Sequence, residues 1–219
     1  MSTLTPRVWF FDLDGTLYPP SEGLWPAVGA RIEEFLQRFL GLDPDAARSR
    51  RQHYVQQYGT TLRGLMEEYP DIDPFAYLEF VAQVPVENFI SPDPQLRALL
   101  RSLPGPKWIF TNADTPYAKR VLRALEVADM FDGIIDIVQL DFVGKPWPQA
   151  YDHALRLARA PRSQALLVDD VRANVAGAQA AGWQAVWVTP RATRPQPGMI
   201  PHIYALPRGL PLSAQEPRS

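Results

Sequence analysis

The sequence predicts a doubly wound α/β fold with an inserted helical unit, and three observations lead there. Short apolar runs recur at Val8–Phe11, Trp108–Phe110, Ala165–Val168 and Ala185–Val188, several stopping abruptly at polar residues. Runs of this length suit strands covered on both faces of a parallel sheet. Between them lie segments with apolar residues at helical spacing, and strands alternating with helices imply helices on both sides of one sheet. The third observation is a stretch from Pro19 to Pro92 with helical periodicity and no strand pattern.

The elements can be justified in order. After the first run, Leu24, Val28, Ile32, Phe35, Leu36, Phe39 and Leu40 mark a long helix. Asp43-Pro44 starts a second helix that ends near Gly59, Thr60 starts a third, and Asp73-Pro74 starts a fourth. Ser91-Pro92-Asp93-Pro94 then turns the chain back. Thr115-Pro116 reads as N-cap and first helical residue for a helix buried through Ala118, Val121, Leu122 and Leu125. Ile134–Val138 reads as a further strand or partly as a loop. Helices follow from Pro148 and after Asp170, the latter stopped by Gly182. Residues 1–18 and 93–208 are thus expected to form the α/β core, 19–92 a four-helix cap, and 209–219 a mobile tail. The whole Pro- and Arg-rich stretch after Thr189 is expected to be extended and partly mobile, with Met199–Leu206 available as a short edge strand.

A chain of 219 residues can bury a full core, and 46% hydrophobic with 21% charged residues is a folded rather than disordered composition. Lys and Arg total 22 against 24 Asp and Glu, so a net charge of −2 gives no reason to expect a nucleic-acid polymer or a membrane surface as partner. The absence of cysteine excludes disulfides, thiolate metal sites and cysteine nucleophiles, and suits a reducing compartment. Residues 1–7 lack a signal-peptide core and no run of roughly 18 apolar residues occurs. The expectation is a cytoplasmic protein; oligomeric state is left open.

In open α/β sheets, ligands gather beyond the carboxyl ends of the strands. Asp12 and Asp14 follow the first run, Thr111 and Asn112 the second, and Asp169 and Asp170 a third, while Lys145 precedes a helix nearby. Each has a plainer reading alone: Asp-x-Asp-Gly as a turn, Thr111-Asn112 or Asp169-Asp170 as helix caps, Lys145 as a solvated lysine. Together they supply carboxylates for a hard cation, a hydroxyl and amide for phosphoryl oxygens, and a lysine for charge. That pattern predicts a metal–carboxylate phosphate site without saying which carboxylate attacks. Trp25, Trp147 and Trp187 are read as packing residues.

The motifs Asp12-Leu13-Asp14-Gly15-Thr16-Leu17-Tyr18, Thr111-Asn112, Lys145-Pro146 and Val168-Asp169-Asp170 resemble, in that order, the four motifs of the haloacid dehalogenase-like (HAD) superfamily. Tyr58–Leu65, Pro92–Arg97 and Phe131–Ile134 are similar to segments of its pyrimidine 5′-nucleotidase branch. The resemblance spans residues 7 to 190 and implies a Rossmann-like core with Mg²⁺ as cofactor. It implies Asp12 as nucleophile and metal ligand, forming an aspartyl-phosphate, and Asp14 as acid and base with its carbonyl on the metal. Asp169 would complete the metal site, with Asp170 as ligand or support. Thr111 and the Asn112 amide would hold phosphate oxygens, and Lys145 would offset the charge.

For the cap, Tyr54, Tyr58 and Arg63 are candidate substrate contacts, offering stacking and a cationic fork. The competing reading packs the tyrosines within the cap and pairs Arg63 with Glu67 one turn on. The resemblance implies hydrolysis of nucleoside 5′-monophosphates, pyrimidine ones foremost, with a sugar phosphate or other small phosphorylated metabolite as the alternative. A phosphomutase, a haloacid dehalogenase and a non-catalytic metabolite-binding module are further rivals. A dehalogenase would need neither Asp14 nor the Asp169-Asp170 pair.

Overall fold

The computed structural model describes residues 8–210. A parallel sheet forms from β1 (Val8–Phe11), β2 (Lys107–Phe110), β3 (Gly133–Ile135), β4 (Ala165–Asp169), β5 (Gln184–Val188) and β6 (Met199–Ile200). Its order is β3-β2-β1-β4-β5-β6. The chain winds outward from β1 in one direction, then returns to β1's other side at β4, so the switch point falls at the carboxyl end of β1. That is where Asp12 stands.

Alternation along β1 explains the two cores. Trp9 and Phe11 face one layer, with Ile109, Leu166 and Val168. Val8 and Phe10 face the other, with Phe110, Tyr151 and Trp183. The Phe10 and Trp183 rings lie 4.5 Å apart. Each such side chain contributes about 1.5–3 kcal/mol on burial, so the strand that carries Asp12 is held firmly on both faces.

Between β1 and β2 come α1 (Leu24–Leu40), α2 (Pro44–Tyr58), α3 (Thr61–Glu68) and α4 (Pro74–Val81), then α5 (Pro94–Ser102). α1 packs on α2 and α4, and α2 on α3. The starts are chemically marked. Asp43 accepts from Ala46 N at 2.9 Å, Thr60 from Arg63 N at 3.1 Å and Asp73 from Phe75 N at 2.9 Å. Each such cap is worth about 1 kcal/mol. The core helices are α6 (Thr115–Ala124), α7 (Pro148–Ala158) and α8 (Arg172–Ala180). No helix of the described residues is long and apolar enough to cross a membrane.

Two local expectations need correction, at the start of α6 and after Thr189, and the open reading of 134–138 resolves as part strand and part loop. The N-cap of α6 is Asp114, whose Oδ1 accepts from Tyr117 N at 3.2 Å, so Thr115 and Pro116 are its first two helical residues. The strand at 134–138 stops at Ile135 because the buried Asp136 carboxylate turns aside, accepting from Thr115 N and Gln139 N, both at 2.8 Å. After Thr189 the chain is not loose. β6 pairs with β5, and a 3-10 turn, Ile203–Arg208, replaces the expected strand beyond Ile200. Ile200, Ile203 and Leu206 are buried there. The mobility expected of 209–219 lies, from 211 onward, outside the described residues, as do residues 1–7.

Candidate active site

The loop after β1 turns sharply at Gly15, and this glycine is required twice over. Its φ is +82°, and a Cβ there would come within 2.5 Å of Asp170 Oδ2. The close approach brings the β1 and β4 loops together. Thr16 Oγ1 donates to Asp170 Oδ1 at 3.3 Å. Oxygens of Asp12, Asp169 and Asp170 then lie within 4.8 Å of one another.

Lys145 sits among them, fully buried, with Nζ 2.8 Å from Asp12 Oδ1 and 2.7 Å from Asp169 Oδ2. Its placement comes from the backbone. Asn112 Nδ2 donates to the Lys145 carbonyl at 2.8 Å, and Lys145 N donates to Asn112 Oδ1 at 2.9 Å. The Asn112 side chain is therefore committed to the lysine loop, which leaves its backbone N–H outside that clamp. Thr111 is buried beside it, its hydroxyl accepting from Ala113 N at 3.0 Å with its proton still to donate.

Asp169 is held on its far side by residues that the sequence reading missed. Asn174 Nδ2 lies 3.1 Å from both its oxygens, and Val171 N donates to Oδ1 at 2.8 Å. Asn174 had one visible signal, a polar residue on the apolar face of α8 with Val175 and Ala178. Trp187 is no mere packing residue either, since its Nε1 donates to the Asp170 carbonyl at 2.8 Å.

Electrostatics follow from burial. Desolvation pushes Asp12 up to about 6, against the pull of Lys145 and aided by Asp170. Asp169 rises to about 6 for the same first reason, again opposed by Lys145. Asp170 reaches about 6 through burial and the Asp169 charge. Burial works against the Lys145 ammonium, yet Asp12 and Asp169 outweigh it and hold its pKa above the ordinary lysine value. Three carboxylates face one ammonium. An all-oxygen donor set with surplus negative charge fits a hard divalent cation such as Mg²⁺.

Asp14 has a different environment. Tyr18 and Tyr117 both donate to its Oδ1, Tyr117 at 2.8 Å. Burial raises its pKa while those two hydrogen bonds oppose the rise. Sequence reasoning assigns neither tyrosine this role, and only Tyr18's place in the first motif, four residues after Asp14, points toward it.

A cavity of about 230 Å³ opens from this cluster, lined by Asp12, Asp14, Thr111, Asn112, Tyr117 and Asp170. Its other wall is the helical insertion, with Trp25, Val28, Ile32, Arg51, Val55 and Thr61 among its residues. Trp25, expected to pack, is 41% exposed at this wall. The cap candidates fall elsewhere. Tyr54 is buried between helices, its hydroxyl donating to Glu68 Oε2 at 2.7 Å. The Tyr58 carbonyl accepts from Trp147 Nε1 at 2.9 Å, and its ring does not line the cavity. Arg63 pairs with Glu67 and does not line the cavity either. The basic side chain that does is Arg51.

Comparison with known proteins gives the family and agrees with the fold. Residues 6–182 match the family model described as haloacid dehalogenase-like hydrolase. The chain is 31% identical over 190 residues to Phosphate metabolism protein 8 of Saccharomyces cerevisiae, covering 80% of this chain but only 59% of that protein. It is 29% identical to a phosphoglycolate phosphatase of Neisseria gonorrhoeae, over 89% of this chain and 90% of the relative. Among solved structures, a HAD phosphatase from Thermococcus onnurineus aligns with a TM-score of 0.58 at 21% identity, covering 94% of this chain and all of the other. L-2-haloacid dehalogenase from Xanthobacter autotrophicus aligns at 0.57 and 19%, covering 86% and 80%. These structural likenesses show the fold. From the family match and the geometry together, the chain belongs to the haloacid dehalogenase-like hydrolases.

Proposed function

We propose that the protein is a Mg²⁺-dependent phosphatase of small phosphate monoesters, acting through Asp12, with nucleoside 5′-monophosphates, pyrimidine ones foremost, as preferred substrates. The observation that carries the phosphatase reading is the Asp12, Asp169 and Asp170 cluster around one buried ammonium, opening to a cavity that Asp14 also lines. Relatives named as phosphoglycolate phosphatases support it. Dehalogenation would give Asp14 and the Asp169-Asp170 pair no task.

Asp12, Asp169 and Asp170 would hold Mg²⁺, with the Asp14 carbonyl. Bound there, the ion supplies Lewis-acid neutralisation of phosphoryl charge. Thr111 and the Asn112 N–H would hold phosphate oxygens, and Lys145 fixes Asp12 facing phosphorus. The Asp12 carboxylate attacks, the bond from phosphorus to the leaving oxygen breaks, and Asp14 gives that oxygen its proton. Its raised pKa suits the protonated start. Asp14 then takes a proton from water, which attacks the aspartyl-phosphate and returns Asp12 free with inorganic phosphate.

A second reading, a phosphatase of a small phosphorylated acid, draws on the relatives named phosphoglycolate phosphatase and on Arg51 in the cavity. Phosphate release from a panel of monoesters, with Mg²⁺ or chelator, tests both. Nucleoside monophosphates should be hydrolysed fastest, and Asp12→Asn should abolish release. Turnover retained in Asp12→Asn or in excess chelator would refute the mechanism. Turnover of other esters but of no nucleotide would leave the phosphatase and remove the nucleotide preference.

A further inference from the structure

Resting on the nucleotide reading, we infer that Arg51 selects the leaving group by donating hydrogen bonds to a neutral carbonyl edge of a heteroaromatic base. It is the only Lys, Arg or His among the residues that line the cavity. Nη1 bonds to Glu33 Oε1 on α1 at 3.1 Å, with the Arg51 side chain 24% exposed. Among the described residues, no protein acceptor reaches Nη2 or Nε, so part of the planar fork remains available.

The position is built rather than incidental. A Cβ on Gly29 would lie 2.7 Å from Nη1 and 2.9 Å from Nη2, so the guanidinium packs directly on the α1 backbone and a methyl there would push it aside. Glycine is unfavourable in a helix interior. Here it makes room for Arg51.

Charge balance says what the fork would bind. Glu33 also faces Arg48 Nε at 3.7 Å, and Arg48 reaches Asp45 at 3.3 Å, so two guanidiniums are matched by two carboxylates. A substrate carboxylate would have to share Arg51 with Glu33 while losing water beside Val28, Ile32 and Val55. A neutral carbonyl carries no such desolvation cost and still accepts from a charged donor. A flat ring suits the exposed Trp25 and the apolar wall. A pyrimidine base has both features. A bare sugar has no flat ring, and a small acid has the wrong charge.

The test compares kcat/KM for uridine 5′-monophosphate, ribose 5-phosphate and 2-phosphoglycolate in wild type, Arg51→Ala, Arg51→Lys and Gly29→Ala, all with Mg²⁺. In Arg51→Ala the uridine-to-ribose ratio should fall about 10-fold or more, mostly through KM, as expected for a lost charged hydrogen bond far from the reacting atoms. Arg51→Lys should recover only part of it, because a point charge cannot reproduce the fork. Gly29→Ala should lower the same ratio with Arg51 still present. Its fold is favoured by the better helix former, so it decides alone if Arg51→Ala does not fold. Equal losses on the uridine and ribose substrates would make Arg51 a strap between α1 and α2 and overturn the inference. A larger loss on 2-phosphoglycolate would assign Arg51 to a carboxylate and overturn it too. A wild type that hydrolyses other esters but not uridine 5′-monophosphate removes the nucleotide reading and this inference together, whereas an unchanged ratio removes only the role of Arg51.

Discussion

Replacing Lys145 by methionine keeps most of its volume and deletes its charge. The ammonium lies 2.8 and 2.7 Å from Asp12 and Asp169, with no exposed surface on the lysine side chain. At an effective dielectric near 20, each contact is an attraction of roughly 6 kcal/mol. Desolvating three ions offsets most of that sum. What remains on deleting one partner of a buried pair is about 3–5 kcal/mol, because the other charges stay behind uncompensated. Unfolding entropy of about 2.1 cal/mol/K per residue converts this to a Tm lowered by roughly 7–11 °C for a chain of this length. The assay is thermal unfolding at pH 7.5 in chelator. The loss should shrink when Mg²⁺ is added, since it arises from surplus negative charge. It should also shrink when Asp169→Asn is combined with Lys145→Met. Turnover should fall by about 10²–10³, the scale of one lost preorganised contact. A Lys145→Met protein that melts within about 2 °C of wild type in chelator would refute the electrostatic account.

Four further outcomes follow from the same geometry. Asn174→Ala removes both 3.1 Å contacts to Asp169 and should weaken Mg²⁺ binding about 10–100-fold, read from thermal-shift titrations. Asp12, Asp169 and Asp170 are pushed up to about 6, so protons compete with Mg²⁺ and its apparent affinity should drop as the pH falls through 6. The sign reverses for metal-free stability: carboxyls with raised folded pKa values stabilise below about 4, and this contribution is lost as the pH rises to about 6, so the chelated protein should melt lower at pH 7.5 than at pH 5. Asp14→Asn should slow release from nucleotides far more than from p-nitrophenyl phosphate, whose leaving group needs little protonation, and equal slowing would deny Asp14 its acid role.

The parts legible in the sequence were those with a local physical cause. Strands buried on both faces appear as unbroken apolar runs, and acidic or hydroxyl residues before helices appear as caps, so Asp43, Thr60 and Asp73 stand where expected. Asp114 and Thr115 are adjacent residues both able to cap, and only the reach of Asp114 to Tyr117 N decides between them. Arg63 and Arg51 show the limit more sharply. A motif can direct attention to a segment, but Glu67 one turn away claims Arg63 locally. Arg51 lies on α2, polar nearly all round, so no apolar stripe reveals which side faces the cavity. Tyr117 is silent for the opposite reason. Its ring is buried like any core residue, and its hydroxyl meets Asp14 across more than a hundred residues of chain.

The Asn112 clamp on the Lys145 backbone has a consequence for conformational entropy. A free lysine side chain has about 2 kcal/mol of rotamer freedom, which a flexible surface lysine would surrender each time it gripped a substrate. In this fold the backbone of Lys145 is fixed from both sides by Asn112, and its side chain is already extended between Asp12 and Asp169. That freedom is lost once, when the chain folds, and turnover starts from a lysine with nothing left to freeze.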